Sequence, residues 1–219
     1  MGALFIRVRF VPLVEQGTFT INNGAWSLNA NQWDGPTIMG SGKTTITSTG
    51  IMNVTGTLSD GTNVDPSFQC AMDSGKTVAV CTQTDETVTT ATEIYIMVKA
   101  PSTSISLADL AGTWQEQAIE YQGPEWERGP MTLNSSGSIT AYSITYSNGS
   151  ADTTPSFSFA ISGPDTITAS NPQDSYAATS QCSLDADKTL MVCTAGGPSD
   201  SDAKMVIFLK NSRTCSLSH

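Results

Sequence analysis

The chain is poor in the residues that catalysis and nucleic-acid binding usually require. Its 219 residues include one histidine, His219, and 10 Lys and Arg residues against 20 Asp and Glu residues, which gives a formal net charge of -10. One histidine at the chain end cannot supply a Ser-His or Cys-His nucleophile, so we predict that the protein is not an enzyme. The scarcity of cations argues against nucleic acid and anionic lipid as partners, because both are bound through clustered Lys and Arg.

Long apolar segments are also missing. No apolar run approaches the roughly 18 residues that a membrane helix requires, so we expect no membrane insertion. Charged residues make up 14% of the chain, and the polar surface must therefore consist mainly of Ser, Thr, Asn and Gly. Such a surface is common among secreted β proteins. The hydrophobic fraction of 38% is sufficient for a core, which argues against disorder.

What the chain does contain is an internal repeat. Residues 69–82 and 181–194 share the pattern Gln-Cys, a small residue, an apolar residue, Asp, two variable residues, Lys-Thr, an apolar residue, a variable residue and Val-Cys-Thr. In each copy, residues of strand type flank a centre that suits a tight turn, which predicts a β-hairpin. Turns centred on residues 75–76 and 187–188 would place the two cysteines of each copy directly opposite one another.

These opposed positions predict two cross-strand disulfides, Cys70 with Cys81 and Cys182 with Cys193, because opposed Cβ atoms lie near the distance that a disulfide needs. Reduced buried thiols and two metal half-sites are the alternatives. The spacing does not match zinc knuckles and histidine is lacking, so we predict no metal and no other cofactor. Disulfides imply an oxidising location, and we expect a secreted, extracellular or cell-surface protein. Cys215 has no counterpart in the first copy and is expected to be free or bonded to another chain.

The repeat can be followed outward from the hairpins. Three further pairs of segments match in the same order: 16–20 with 136–140, 41–47 with 162–168, and 93–99 with 204–210. On this alignment the first copy starts too late to contain the first strand of the second copy. We therefore predict that its N-terminal strand is missing or donated, either by the C-terminal tail or by a neighbouring chain, with residues 4–11 as a partial substitute. The alignment also predicts that residues 40–44, Gly-Ser-Gly-Lys-Thr, form a hairpin turn, because the first glycine and the helix of a phosphate-binding loop are absent.

The predicted fold class is all-β, with two tandem small antiparallel β-barrels. The domains are residues 1–100, which form the first barrel without its Gly-x-Trp strand, a linker at 101–111, and residues 112–219, which form the second barrel. The second copy divides into eight predicted strands separated by short turns, and one of these strands spans residues 138–146. Eight antiparallel strands close a small barrel that its own side chains or one small ligand can fill.

Residues 109–114, Asp-Leu-Ala-Gly-Thr-Trp, resemble the Gly-x-Trp opening of the lipocalin and calycin barrels. The second copy also resembles the modules of secreted bacterial repeat proteins that open with Leu-Ala-Gly-Thr-Trp and close on an apolar strand ending in Lys. The resemblance implies a calycin-like barrel in which Trp114 closes one end and Lys210, from the last strand, lies across it. It also implies a small apolar ligand as one possible partner.

Carboxylates near two tryptophans are the remaining candidates for chemistry. Glu116 and Glu120 follow Trp114, and Glu125 and Glu127 flank Trp126. Aromatic and acidic side chains that lie together are typical of sugar-binding sites and of glycosidase active sites. The alternative is that these glutamates form the solvent-exposed side of a strand, and we favour that interpretation.

The closing strands of both copies are apolar at every position, at residues 94–98 and 205–209. A strand with one face in water should alternate, so the outer faces of these strands must be covered. The candidate interface residues are Ile94, Ile96, Val98, Val206 and Phe208. Either neighbouring copies cover them in a homo-oligomer or polymer, or the two barrels cover each other within one chain.

The expected function is that of a non-enzymatic extracellular structural or interaction protein, built of duplicated barrels and assembled into a filament or surface polymer by strand donation. The alternative is a lipocalin-like binder of a small apolar ligand. A barrel filled by its own side chains would favour the structural function, and a ligand inside the second barrel would favour the binder.

Overall fold

The computed structural model describes ten segments of the chain: residues 2–9, 13–32, 37–58, 68–83, 93–120, 126–155, 157–164, 166–170, 179–195 and 204–211. Cys215, His219 and Glu125 lie outside these segments, and so does nearly all of the C-terminal tail. Within them, strands dominate, and the one helix is the short α1 (Leu107–Leu110). The predicted all-β class is confirmed, with two curled antiparallel sheets in tandem.

The first sheet is a closed barrel. In the described part of the chain it contains eight strands: β1 (Gly2–Arg9), β2 (Leu13–Asn22), β3 (Ala25–Gln32), β4 (Thr37–Ile46), β5 (Ile51–Leu58), β6 (Phe68–Met72), β7 (Val78–Gln83) and β8 (Glu93–Lys99). Each strand pairs with its neighbour in sequence, and β1 also pairs with β8, which closes the barrel. Alternate side chains point inward, and one cluster of buried residues occupies the interior.

The second sheet is an open half-barrel. Its ten described strands are β9 (Gly112–Glu120), β10 (Trp126–Leu133), β11 (Ile139–Tyr142), β12 (Ile144–Tyr146), β13 (Ala151–Asp152), β14 (Ser158–Ile161), β15 (Ile167–Ser170), β16 (Thr179–Leu184), β17 (Leu190–Ala195) and β18 (Lys204–Lys210). The sheet curls until the Phe159 N–H donates a hydrogen bond to the Gly137 carbonyl at 3.3 Å. This contact brings β14 to the turn that follows β10, around a second buried cluster.

One predicted strand of the second copy is split. The segment 138–146 forms β11 and β12, which are separated at Ser143. Pro130, opposite this point, has no N–H to donate, although its carbonyl accepts a hydrogen bond from the Ser143 N–H at 3.1 Å. Gly129 lets β10 and the segment at Ser143 approach closely, since a Cβ on Gly129 would lie 1.9 Å from the Ser143 carbonyl oxygen. The pairing register is the same on both sides of Ser143, and the ladder shifts only further along, between Thr132 and Leu133.

The first barrel does not lack its first strand, and that prediction is wrong. Strand β1 pairs with β2 on one side and with β8 on the other, over its whole length on the β2 side. Register shows the counterparts: Ala3 pairs with Phe19 and Lys99, as Trp114 pairs with Met131 and Lys210. Only the Gly-x-Trp motif is absent, because alanine occupies the position of the tryptophan.

The wrong prediction came from aligning residues 16–20 with residues 136–140. Residues 16–20 lie in β2, whose counterpart is β10, whereas residues 136–140 form the turn after β10 and the start of β11. A glycine, a hydroxyl residue and then alternating apolar and Thr residues occur both within β2 and at the start of β11, so the two segments look alike in sequence. Matching β2 to a segment one strand too late removes one strand from the count. The register of the described strands shows instead that Gly17 of the first repeat occupies the position of Gly129 in the second.

Residues 40–44 form part of β4 and not the predicted hairpin turn. Their glycines make room for Trp26 inside the barrel: a Cβ on Gly40 would lie 2.9 Å from the indole ring, and one on Gly42 would lie 2.5 Å from its Nε1. The indole stacks on Phe19 with 5.3 Å between ring centroids and donates a hydrogen bond to the Thr55 carbonyl at 2.8 Å. The first barrel is thus filled by its own side chains.

Both predicted disulfides are confirmed: Cys70 is bonded to Cys81, and Cys182 to Cys193. The four cysteines pair directly across their hairpins and lie inside the two sheets, at most 2% exposed. Two disulfides in an all-β chain fit an extracellular protein.

The repeated Asp explains the shape of each hairpin. The Asp73 carboxylate accepts hydrogen bonds from the backbone N–H groups of residues 75, 77 and 78, and the Asp185 carboxylate accepts from those of residues 189 and 190. Such Asx interactions stabilise tight turns. The lysine of the shared pattern, Lys76 or Lys188, takes the left-handed conformation that the turn needs, with φ of 55° and 60°.

Candidate functional sites: an inter-repeat surface and a buried charged cluster

The two repeats pack against each other through the outer faces of their closing strands. We call this set the inter-repeat cluster, and it contains Val78, Ile94, Ile96, Val98, Leu190, Val192, Met205 and Ile207. The first four residues come from β7 and β8, and the last four come from the equivalent strands β17 and β18. The apolar surface that the sequence predicted to be covered is therefore covered within one chain.

Three of the predicted interface residues, Ile94, Ile96 and Val98, lie in this cluster. The other two do not: Val206 and Phe208 belong to the core inside the second sheet, and placing them at the interface is wrong. Side chains of a strand alternate between faces, so the outward positions of β18 are Met205 and Ile207.

A polar contact borders the inter-repeat cluster. The Gln16 side chain, on β2, donates a hydrogen bond to Ser183 Oγ at 3.3 Å and accepts one from Thr194 Oγ1 at 3.0 Å. One amide thus joins the first barrel to β16 and β17 of the second sheet, beside an apolar contact. This combination fixes orientation as well as contact, because the hydrogen bonds hold only in one register.

The packing of the equivalent strands is offset. Val192 is completely buried, whereas Val80, at the same register position in the first repeat, is 47% exposed. Val98 is likewise buried while its counterpart Leu209 is 51% exposed. The two repeats therefore do not meet as a symmetric pair, and each leaves one apolar side chain at the edge of the contact.

One end of the second sheet is closed by Trp114, and the structure brings Lys210 to it. The indole is fully buried and donates a hydrogen bond to the Leu110 carbonyl at 2.8 Å. Lys210 Nζ lies 5.2 Å from the ring centroid and donates a hydrogen bond to the Asp109 carbonyl at 2.8 Å. Burial lowers the pKa of Lys210, and the neighbouring Asp109 opposes that shift. Helix α1, inside the predicted linker, forms part of this end.

The other end of the second sheet carries a charged cluster, formed by Glu116, Glu127 and Lys204. Glu127 on β10 and Lys204 on β18 form an ion pair across the intervening strand β9. Ala118 lies between them on β9, paired with Glu127, and its small side chain leaves room for the two long ones to meet. Their side chains are 9% and 20% exposed, so the pair is largely removed from water.

Glu116 lies deeper in the same sheet, two residues from Ala118 on the same face of β9. It is 3% exposed, and among the described residues its buried Oε2 has no hydrogen-bond partner. Burial raises the pKa of Glu116 to about 7; Lys204 opposes the shift and the charge of Glu127 adds to it. Burial also raises the pKa of Tyr142, with a further contribution from the charge of Glu116. This carboxyl can exchange a proton near neutral pH.

The sequence prediction that these glutamates face solvent is wrong for Glu116 and Glu127, which both point inward. A signal was available in the sequence. Trp114 and Glu116 are two residues apart on a strand and must share a face, so a tryptophan that closes the interior places Glu116 inside as well. Trp126, by contrast, is 39% exposed, and Arg128 Cζ lies over its ring, 4.8 Å from the ring centroid. It does not line the interior.

Within the described segments, no group of three or more His, Cys, Asp and Glu side chains is arranged to hold a metal ion. No helix in those segments is long and apolar enough to span a membrane. No protein-family model matches the chain, and a search of curated protein sequences finds no match.

Proposed function

We propose that this protein is a non-enzymatic extracellular structural or interaction module, in which the barrel and the half-barrel act as one rigid unit. The observation that carries this proposal is the inter-repeat cluster, which joins the repeats through buried side chains such as Ile96 and Val192 rather than through a linker alone. A contact of this kind keeps two domains in a fixed orientation, because sliding them would expose apolar surface to water.

The interiors of both repeats support the structural function. Phe19, Trp26 and their neighbours occupy the first barrel. In the second sheet, Phe159 and Phe208 meet edge to face across the interior with 6.1 Å between ring centroids. The disulfides lie in the same two cores, so each repeat has both packing and a covalent link to resist unfolding.

Strand donation to the first barrel is not part of this proposal, because β1 already pairs on both of its edges. Assembly of copies stays a prediction. Strand pairing between copies would have to use the edges of the second sheet, where β13 and β14 are the outermost described strands.

A lipocalin-like binder is the second candidate, and the observation in its favour is the buried carboxyl of Glu116 inside an open sheet. One experiment separates the two functions. Protein purified from its natural source is denatured, and the extract is searched for small molecules by mass spectrometry, while the same preparation is measured by small-angle scattering. The structural function predicts no stoichiometric small molecule and a single compact arrangement of the two repeats. A molecule released in a one-to-one ratio would overturn the structural proposal in favour of the binder.

A further inference from the structure

We propose that Lys204 and Glu127 condense into an intramolecular amide bond between Nζ and the side-chain carboxyl carbon, with Glu116 as the proton relay. The bond would tie β10 to β18 and close a loop with a sequence separation of 77 residues. This inference goes beyond the proposed function and does not depend on it.

Three observations carry the proposal. The Lys204 ammonium and the Glu127 carboxylate are in direct contact, on the inner face of the sheet. Both side chains are largely buried, so water competes weakly for either reactant. The third observation is Glu116, which is 3% exposed, lies on the same face of β9 as Ala118, feels the charges of both Lys204 and Glu127, and has one buried oxygen without a hydrogen-bond partner among the described residues. An ordinary ion pair does not need a third, protonatable group of this kind, whereas amide formation needs one to move protons.

The reaction is a condensation in which all atoms are accounted for. The Lys204 ammonium gives a proton to a carboxylate, and the neutral Nζ attacks Cδ of Glu127. A nitrogen–carbon bond forms, one carbon–oxygen bond of Glu127 breaks, and the oxygen leaves as water with two protons that came from the amine. Glu116 passes these protons from Nζ to the leaving oxygen. The charges of the pair disappear, and no oxidant, reductant or other reactant is needed.

The surroundings favour this reaction over a lasting ion pair. Burying two charges costs desolvation free energy, which a neutral amide avoids. The packed strands hold the nucleophile against the carboxyl, so little orientation entropy is lost on the way to the transition state. Burial places the pKa of Glu116 near neutrality, as a proton relay requires.

The same repeat contains a matched pair that should not react. Lys188 Nζ lies 2.7 Å from Asp109 Oδ1, and these side chains are 31% and 22% exposed. The hydrogen bond from Lys188 is the largest influence that lowers the pKa of Asp109; burial opposes it, and hydrogen bonds from the Ser106 N–H and hydroxyl lower the pKa further. A more solvated carboxylate held in its charged form is a poor acceptor for an amine.

The test is the mass of the full-length protein after reduction and unfolding. We expect the wild-type chain to be lighter than its sequence by the mass of one water, and tryptic digestion to give one linked product of residues 100–128 and 189–210, since trypsin cannot cut after an acylated Lys204. A wild-type chain with the full sequence mass and a cut after Lys204 would overturn the proposal. A water lost elsewhere, for example at Asp60-Gly61, would overturn it too, because the linked product would be missing.

Variants separate the roles. Lys204→Arg keeps the charge and should abolish the loss of mass, whereas Glu127→Gln should lose ammonia in place of water, because the amine then displaces the amide nitrogen. Asp109→Asn is the control and should leave the linked product unchanged. Glu116→Gln should fold, as judged by circular dichroism, and remain unlinked. Linking at the wild-type rate in this variant would overturn the relay role assigned to Glu116.

Discussion

Val192→Ala tests the contact between the two repeats on which the proposed function depends. Val192 points outward from β17, yet it is completely buried, because the first repeat covers it. The substitution removes two buried carbon atoms at about 0.8 kcal/mol each and leaves a cavity, so we expect the free energy of unfolding to fall by about 1.5 to 3 kcal/mol.

Val80→Ala is a matched control. Val80 occupies the same register position in the first repeat, opposite Ala71 as Val192 is opposite Ser183, and it is 47% exposed. The same two atoms are removed from a site that is already half in water. We therefore expect a loss of less than about 0.8 kcal/mol.

Both variants can be measured by urea unfolding, followed by tryptophan fluorescence and circular dichroism and extrapolated linearly to water. The wild-type slope must be retained for the comparison to hold. Equal losses at Val192 and Val80, or no loss at Val192, would refute the packing of one repeat on the other, because the outer face of β17 would then be as solvated as that of β7.

Three further predictions concern the turns, the close strand contacts and the closed end. Burial alone would raise the pKa of Asp73, but the hydrogen bonds that its carboxylate accepts outweigh burial and lower the pKa. The stabilisation from these hydrogen bonds should be complete above the ordinary pKa of 3.8 and lost as the pH falls below that value. Asp73→Asn replaces one acceptor oxygen and removes the charge that strengthens these bonds, so it should cost about 1 kcal/mol at neutral pH and nothing in strong acid, in unfolding measured at both. Gly17→Ala and Gly129→Ala place a Cβ 2.2 Å and 1.9 Å from a backbone oxygen and should each cost about 2 kcal/mol or more in thermal unfolding, and a neutral result would contradict the strand spacing. Lys210→Met removes the cation from Trp114 and should cost about 1 to 2 kcal/mol, with a change in near-ultraviolet dichroism that Lys210→Arg partly restores.

The disulfide hairpins were predictable because every interaction that shapes them is local. The Asp, the Lys at positive φ and the two cysteines lie within a dozen residues, and the turn alone fixes which residues are opposed. Cys182 and Cys193 therefore follow from spacing, as does the all-β class from the short strands between turn residues.

The count of strands in the first barrel was not predictable in the same way. Whether residues 2–9 are a first strand depends on pairing with β8, which comes some 90 residues later in the sequence. Alignment of short segments could not decide this, because short stretches of Gly, Ser and Thr with one apolar residue look alike whether they lie within a strand or follow a turn. Pairing between distant segments is a property of the closed barrel and not of the segment.

The sequence by itself determined the duplication, the disulfides, the all-β class and the presence of apolar closing strands that need a cover. The tertiary structure decided what covers them and which charged residues enter the interior. The position of Trp114 places Glu116 inside, but Glu127 and Lys204 look like surface residues in sequence, and they form an ion pair only because curling of the sheet brings β9, β10 and β18 around one interior. The physical reason is that the alternation of side chains along a strand fixes which residues share a face, whereas burial depends on what the rest of the chain packs against that face.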